Sequence, residues 1–183
     1  YLEILGMIGL GLGCGLSKLG IPAALVFSPI LASVYGGKAS AGIIIIPVIV
    51  SDLIVMYLYR KDVEKKVLFK ILPLTVLGII VAVIFGNNIS DEIFKKSMGI
   101  IILIIGTLTL LKSLKIDFSK LSFLFGFLGG IAAFIGNVSG PMMSIYLLNI
   151  KMDRDKFYGT RTWFYFIVNI IKATLYVLVL NNI

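Results

Sequence analysis

The sequence predicts an all-α polytopic membrane protein built of two inverted repeats, each a broken or re-entrant helical hairpin followed by transmembrane spans, with the second repeat incomplete. Three observations lead there. Of 183 residues, 59% are hydrophobic and only 14% charged, with a mean hydropathy of +1.07, whereas soluble domains carry roughly 25% charged residues. Several apolar runs approach or exceed the ~20 positions that a bilayer core requires. Two clusters of helix breakers also recur, each ending in a proline that opens a short apolar run.

In chain order the apolar segments are 1–16, 21–35, 39–59, 67–86, 97–111, 121–136, 140–150 and 160–180. Polar loops Arg60–Lys66, Asn87–Lys96, Lys112–Lys120 and Lys151–Gly159 separate them. Long apolar runs without period-2 alternation favour helices over barrel strands. Segments 39–59, 67–86 and 160–180 are each long enough to span, whereas 97–111 needs flanks from its loops. The halves of the first pair, and of the pair over 121–150, are shorter. Each makes about 16 to 24 Å of helix against ~30 Å of hydrocarbon. The pairs break at Gly13–Pro22 (GCGLSKLGIP) and Gly136–Pro141 (GNVSGP), where each glycine costs a helix ~1 kcal/mol and each proline ~3. Non-helical backbone at membrane depth is tolerated only against protein or a water-filled cavity.

Each pair is therefore one long broken span or a hairpin that enters and leaves on one side, and loop charge arbitrates. With single spans, seven Lys/Arg face six across the membrane; with hairpins, Lys151, Arg154 and Lys156 change sides and the split becomes ten against three. The positive-inside rule favours hairpins. An offset of 119 positions lays Pro22 on Pro141 and Lys18 on Asn137, so the hairpins read as copies, a signature of transporters. The first repeat is then 1–111 and the second 121–183. A unit of one hairpin and three spans crosses an odd number of times, so its copy enters upside down. Two further spans after Ile183 would complete it. With Tyr1 starting directly in an apolar run, the chain reads as a piece of a longer protein.

Absences narrow the chemistry. The chain has no His and a single cysteine, Cys14, which removes the Ser-His and Cys-His pairs, the commonest metal ligand and any internal disulfide. No cofactor or metal is called for. The formal charge of +8 sits mainly in short loops, so it reads as orientation against an anionic inner leaflet rather than as a nucleic-acid surface.

Charged groups inside apolar runs cost ~2.5 to 3.5 kcal/mol on insertion scales, so each needs a reason. Lys18 lies at the first bend, Asp52 well inside its span, Lys172 near the middle of 160–180 and Arg161 at that span's start. Snorkelling to the interface is the better account for Arg161 and Lys38, and the poorer one for Lys172. Tyr165, Asn169, Lys172 and Tyr176 recur at intervals of four, three and four, which puts them on one helix face. That stripe suits a pathway wall or a hydrogen-bonded helix seam equally well. After each break a half-helix begins, and its first turn presents unpaired N–H groups and the positive end of the dipole, a ready anion site. Ser17, Lys18, Asn137 and Ser139 would add donors beside Gly20-Ile21-Pro22 and Gly140-Pro141. Gly126, Gly129 and Gly130 read instead as helix-packing residues. Asp52 falls near the depth of Asn169 and Lys172, where it would pair with Lys172 or Lys18; as the one carboxylate well inside a complete span, it is the candidate for proton coupling.

At these residues the chain resembles the TauE/SafE sulfite exporter family. The likeness is carried by GLGLGCGLSKLGIPAALVFSPIL and by GFLGGIAAFIGNVSGPMMSIYLLNIKMDRDKFYGTRTWFYFIVNIIKATLY. Pro29-Ile30-Leu31 stands for the family's Pro-Leu-Leu-like turn, and Ser139-Gly140-Pro141 with Tyr146-Leu147-Leu148 for its second turn and the run after it. The usual glycines at the first turn are replaced by Gly20-Ile21-Pro22-Ala23-Ala24. The resemblance implies a multi-pass plasma-membrane permease for sulfite, a sulfonate or a related oxyanion, bound between the two breaks. An anion channel would use the same half-helix ends without alternating access. An intramembrane enzyme built on Ser17-Lys18 or Ser139 lacks any supporting motif. Gly-rich faces are compatible with a homodimer and do not decide it.

Overall fold

A computed structural model describes residues 11, 13–15, 24–111, 122–137, 139–150 and 152–177. Ser17, Lys18, Gly20 and Pro22 lie outside the described residues. Among those described, no strand forms; residues 11 and 13–15 are helical, and the helices whose bounds are described are α1 Ala24–Tyr35, α2 Gly37–Leu58, α3 Lys65–Asn88, α4 Asp91–Leu111, α5 Ser122–Gly136, α6 Gly140–Asn149 and α7 Arg154–Leu175. Two of them, α2 and α3, are long and apolar enough to cross a membrane.

The expected boundaries shift in three places. Helix α4 begins at Asp91 and so recruits its missing length from the preceding loop. Helix α7 is 22 residues long but begins at Arg154, so its first turns are polar. Pro29-Ile30-Leu31, expected in a turn, lies inside α1, just as Pro47 and Pro73 lie inside α2 and α3. A proline forfeits one backbone bond, and packed neighbours can compensate for that loss in an apolar helix.

The distribution of polarity is inverted relative to a soluble domain. Leu103 is 72% exposed and Phe85 68%, while Asp52 is 0%, Lys172 1% and Arg161 9% exposed. Water would disfavour that outside, and lipid accepts it; the polar groups turn inward because no hydrocarbon-facing position could satisfy them.

Helix directions follow from who touches whom. Along α3 and α5 the contacts climb together: Gly126 meets Ile71 and Leu74, Gly130 meets Thr75 and Ile79, and Gly86 meets Phe134, so these two helices run parallel. Along α2 and α7 they run in opposite senses. Gly159 packs on the backbone of Asp62 and Tyr59, Glu64 takes its N–H to Thr160 Oγ1 at 2.9 Å, and Asn169 meets Asp52 further in. One end of the molecule therefore gathers the turn after α2 and the start of α7, tied also by Lys156 Nζ to Glu64 Oε2 at 3.4 Å and by the Tyr59–Tyr158 ring contact.

The opposite end gathers the start of α2 and the α3–α4 turn. Gly36 adopts φ 92 there, a left-handed turn that a Cβ would strain. Gly36 has no side chain to cap the first turn of α2; instead Asp91 Oδ1, from the start of α4, accepts the Lys38 N–H at 3.0 Å. Lys38 Nζ in turn reaches the Ile89 carbonyl at 2.7 Å. Asp91 lies in the polar stretch outside the apolar run, and its carboxyl is held below the usual value chiefly by the Lys38 backbone N–H. A carboxylate with a lowered folded-state pKa stabilises the fold fully above its unfolded value and less as pH falls through the folded one. Asp91→Asn is therefore expected to lower the melting temperature at neutral pH and to shrink the gap from wild type as the buffer is acidified below about pH 4. Melting curves of the two proteins across that range would test this, and a constant gap would refute the cap.

Candidate functional site

The chain breaks between α5 and α6. Asn137 has φ 54, a left-handed conformation that asparagine tolerates better than other non-glycine residues. It directs its side chain sideways: Nδ2 donates to the Ala41 carbonyl of α2 at 3.2 Å, and Oδ1 accepts from Lys172 Nζ of α7. Ser139 then caps α6 through its backbone, accepting the Met143 N–H at 3.1 Å, with no side-chain cap and with Pro141 in the first turn. Tyr165 Oη donates to the Gly140 carbonyl at 3.0 Å, pinning the start of α6 against α7. Ser28 of α1 donates to the Gly136 carbonyl at 2.8 Å and so brings α1 to the same break.

A second asparagine organises the charges. Asn169 Nδ2 donates to Asp52 Oδ2 at 2.7 Å, and Asn169 Oδ1 accepts from Lys172 Nζ at 3.5 Å. The amide orientation follows from the partners, since its NH₂ serves the carboxylate and its oxygen the ammonium. Asp52 is thus connected to Lys172 through Asn169, and Lys172 to the break through Asn137. Hydrogen bonds to charged groups are worth about 1.5–3 kcal/mol each, and more is lost if a buried partner is orphaned. Two of the three Lys172 donors reach amide oxygens of the described residues.

The position along the helix axes matters. From Gly159, level with Tyr59 at the end of the molecule, ~1.5 Å per residue puts Asn169 about 15 Å and Lys172 about 20 Å inward. Because Lys172 is 1% exposed, this depth is not relieved by snorkelling. Arg161 departs from its expectation in the same direction: it is 9% exposed, with its guanidinium 5.7 Å from the centre of the Tyr165 ring. A start-of-span position made snorkelling the simpler reading for Arg161. Its backbone does stand near the end of the molecule, two residues beyond Gly159, but its side chain turns inward to Tyr165, one turn further along α7.

The structure therefore brings together Asp52, Asn137, Ser139, Gly140, Asn169 and Lys172, with Pro141 at the same helix start. It adds Arg161, Tyr165 and Ser28, of which only Tyr165 was marked by spacing in the stripe. The stripe itself divides by role: Tyr176 Oη donates to the Phe134 carbonyl at 2.9 Å and its ring stacks on Phe134 at 4.8 Å, a seam between helices. Of the three glycines read as packing residues, Gly126 and Gly130 abut α3, whereas Gly129 has open space where a Cβ would stand.

An exposed apolar exterior, two helices long and apolar enough to cross a membrane and a cluster of charge buried inside rather than facing out are the features of a membrane protein. The chain belongs to the family described as the sulfite exporter TauE/SafE, whose pattern matches residues 5–183. Neither the curated proteins nor the solved structures yield a match.

Proposed function

We propose that this chain is a secondary transporter of a small oxyanion, sulfite, a sulfonate or a near relative, which binds at the α5–α6 break between the start of α6 and the Lys172 ammonium. The observation that carries this reading is Lys172 itself: an almost fully buried cation joined through Asn137 to the residues that open a helix. The start of α6 supplies N–H groups and a positive dipole end for an anion, and Lys172 supplies a full charge. Family membership supplies the sulfur oxyanion class.

The same reading treats α5 and α6 as a re-entrant hairpin. Support comes from α5 running parallel to α3 and from α7 starting beside the turn after α2, so that both ends of the α5–α6 pair fall at one end of the molecule. The ten-against-three charge split argues the same way. Helix α1 leads away from the level of Gly136 toward Asp91, while α6 leads back toward Arg154. Half-helices running apart from neighbouring amino ends are the arrangement that inverted repeats produce. Asn169 and Lys172, about 15–20 Å in, fall toward the middle of a ~30 Å core, with the break beyond them at the level of Ala41. Alternating access then consists of rocking one repeat against the other in the plasma membrane, with Asp52 as the proton-coupling carboxylate.

A substrate screen by thermal shift with sulfite, sulfate, taurine, sulfoacetate and small carboxylates is expected to raise the melting temperature for sulfur oxyanions. Saturable uptake with counterflow in proteoliposomes is expected, and single-channel currents would favour a channel instead. Asp52→Asn is expected to flatten the pH dependence of uptake; unchanged uptake with an unchanged pH profile would remove Asp52 from coupling.

A further inference from the structure

We propose that a proton on Asp52 and the anion at Lys172 bind together, so that the two are carried in the same direction. This rests on the oxyanion reading above, with Asp52 as its coupling carboxylate, and adds the sense of the coupling. Asn169 Nδ2 donates to Asp52 Oδ2 at 2.7 Å, and the oxygen of the same amide accepts from Lys172 Nζ at 3.5 Å. One side-chain amide therefore separates the carboxylate from the ammonium. While Asp52 is ionised it competes with an incoming anion for Lys172, both by attraction through space and by fixing the amide that holds the ammonium on a protein oxygen. A proton on Asp52 ends the attraction and weakens the bond to Asn169, since charge-assisted hydrogen bonds are about twice as strong as neutral ones. The Lys172 charge then goes to the substrate. This direction holds whatever other charges the site contains, because a proton adds one positive unit to any total.

Asp52 and Lys172 are both almost fully buried, so water screens them little. On α7, which packs along α2, the buried charged or titratable groups are Arg161, Tyr165, Lys172 and Tyr176. Neither α1 nor α5 carries a charged side chain. Those near the start of α4, Asp91, Glu92, Lys95 and Lys96, belong to the end of α2 where Asp91 and Lys95 meet Gly37, about 22 Å along the helix from Asp52. Of all these, Lys172 is the other group on which an anion would help to hold a proton, and the test must separate it from Asp52. Linkage makes the effect reciprocal, so the anion strengthens the hold of Asp52 on its proton by the factor that the proton gives the anion. An anion on the far side of Lys172 lies about 10 Å from Asp52, where one unit charge at an effective dielectric near 20 changes affinity about tenfold.

Methanesulfonate is the probe, because it stays a monoanion throughout and any pH dependence then belongs to the protein. The chain has no His, so between about pH 5 and pH 8 ordinary carboxylates and lysines keep one form, and a proton taken up on binding reports a perturbed group. Purified wild type is expected to bind methanesulfonate about tenfold more tightly at the acid end of that range than at the other. It is also expected to take up a proton as it binds in weakly buffered solution, and in proteoliposomes to acidify the lumen under an inward methanesulfonate gradient. Asp52→Asn, neutral throughout, is expected to hold the tighter affinity at every pH and to take up no proton. Release of a proton on binding, binding with no proton exchanged, or lumenal alkalinisation would overturn the coupling, and so would proton uptake that survives Asp52→Asn, which places the proton on Lys172. The wild-type measurements stand without the variant should it fail to fold. Binding without a proton leaves the anion site in place, whereas wild type that binds no methanesulfonate at either end of the range tells against the oxyanion reading itself.

Discussion

Lys172→Gln is expected to lower anion uptake about 100-fold in proteoliposomes while leaving a folded, membrane-inserted protein. The size follows from what the ammonium does. At ~4 Å and an effective dielectric near 20, a unit charge contributes about 4 kcal/mol to a bound anion, and each 1.36 kcal/mol is a factor of ten; reorganisation and residual water take back part of that. Glutamine keeps an NH₂ donor for Asn137 and Asn169, so the loss isolates charge from hydrogen bonding. Lys172→Met, which removes both, is expected to melt at lower temperature as well, because the Asn137 and Asn169 oxygens that Lys172 serves lose a buried partner, at about 1–3 kcal/mol each. Uptake by Lys172→Gln within threefold of wild type, in protein with a normal melting curve, would show that the anion does not meet this residue.

Much of this site was legible because charge in an apolar run needs an explanation. Asp52 and Lys172 stood out on that ground alone, and the spacing of Asn169 and Lys172 put them on one face before any coordinates. The break at Gly136–Pro141 announced itself through breakers that no helix would carry. What spacing did not reveal is the use of amides as connectors. Asn169 lies between the carboxylate and the ammonium, and Asn137 reaches across to α2; both depend on which helices are neighbours, which one-dimensional periodicity does not encode. Arg161 was misassigned for a related reason. Its backbone stands near the end of the molecule, two residues beyond Gly159, but its guanidinium turns inward over the Tyr165 ring, a direction that position along the chain does not encode. Ser28 carried no signal at all, since a lone serine in an apolar helix usually bonds its own backbone; here it bonds Gly136 of another helix.

The helix pair that carries this site makes the second large prediction. Gly78 and Gly130 face each other across α3 and α5: a Cβ on Gly130 would overlap the Thr75 carbonyl, and one on Gly78 would overlap the Phe127 carbonyl. Backbone, not a flexible side-chain tip, stands in the way, so the helices must separate to admit even a methyl. Dispersion along the interface falls steeply with such a gap, and without a hydrophobic driving force between helices in lipid, packing is the main source of their association. Overpacking costs typically 1–3 kcal/mol and occasionally more. Gly130→Val is expected near or above the top of that range, at about 3 kcal/mol, with Gly130→Ala somewhat below it. Gly129→Ala is the control, because nothing lies within 4 Å of its Cβ position and alanine is the better helix former by ~1 kcal/mol; it is expected to be neutral or stabilising. Because α5 ends at Gly136, directly before Asn137, a displaced α5 also moves Asn137 away from Lys172. Gly130→Val is therefore expected to lose anion binding together with stability, and Gly129→Ala to keep both. Thermal melts with and without anion on the three variants decide it: equal melting temperatures for Gly129→Ala and Gly130→Val would mean that the α3–α5 contact is not the close one described, and that the break is held by something else.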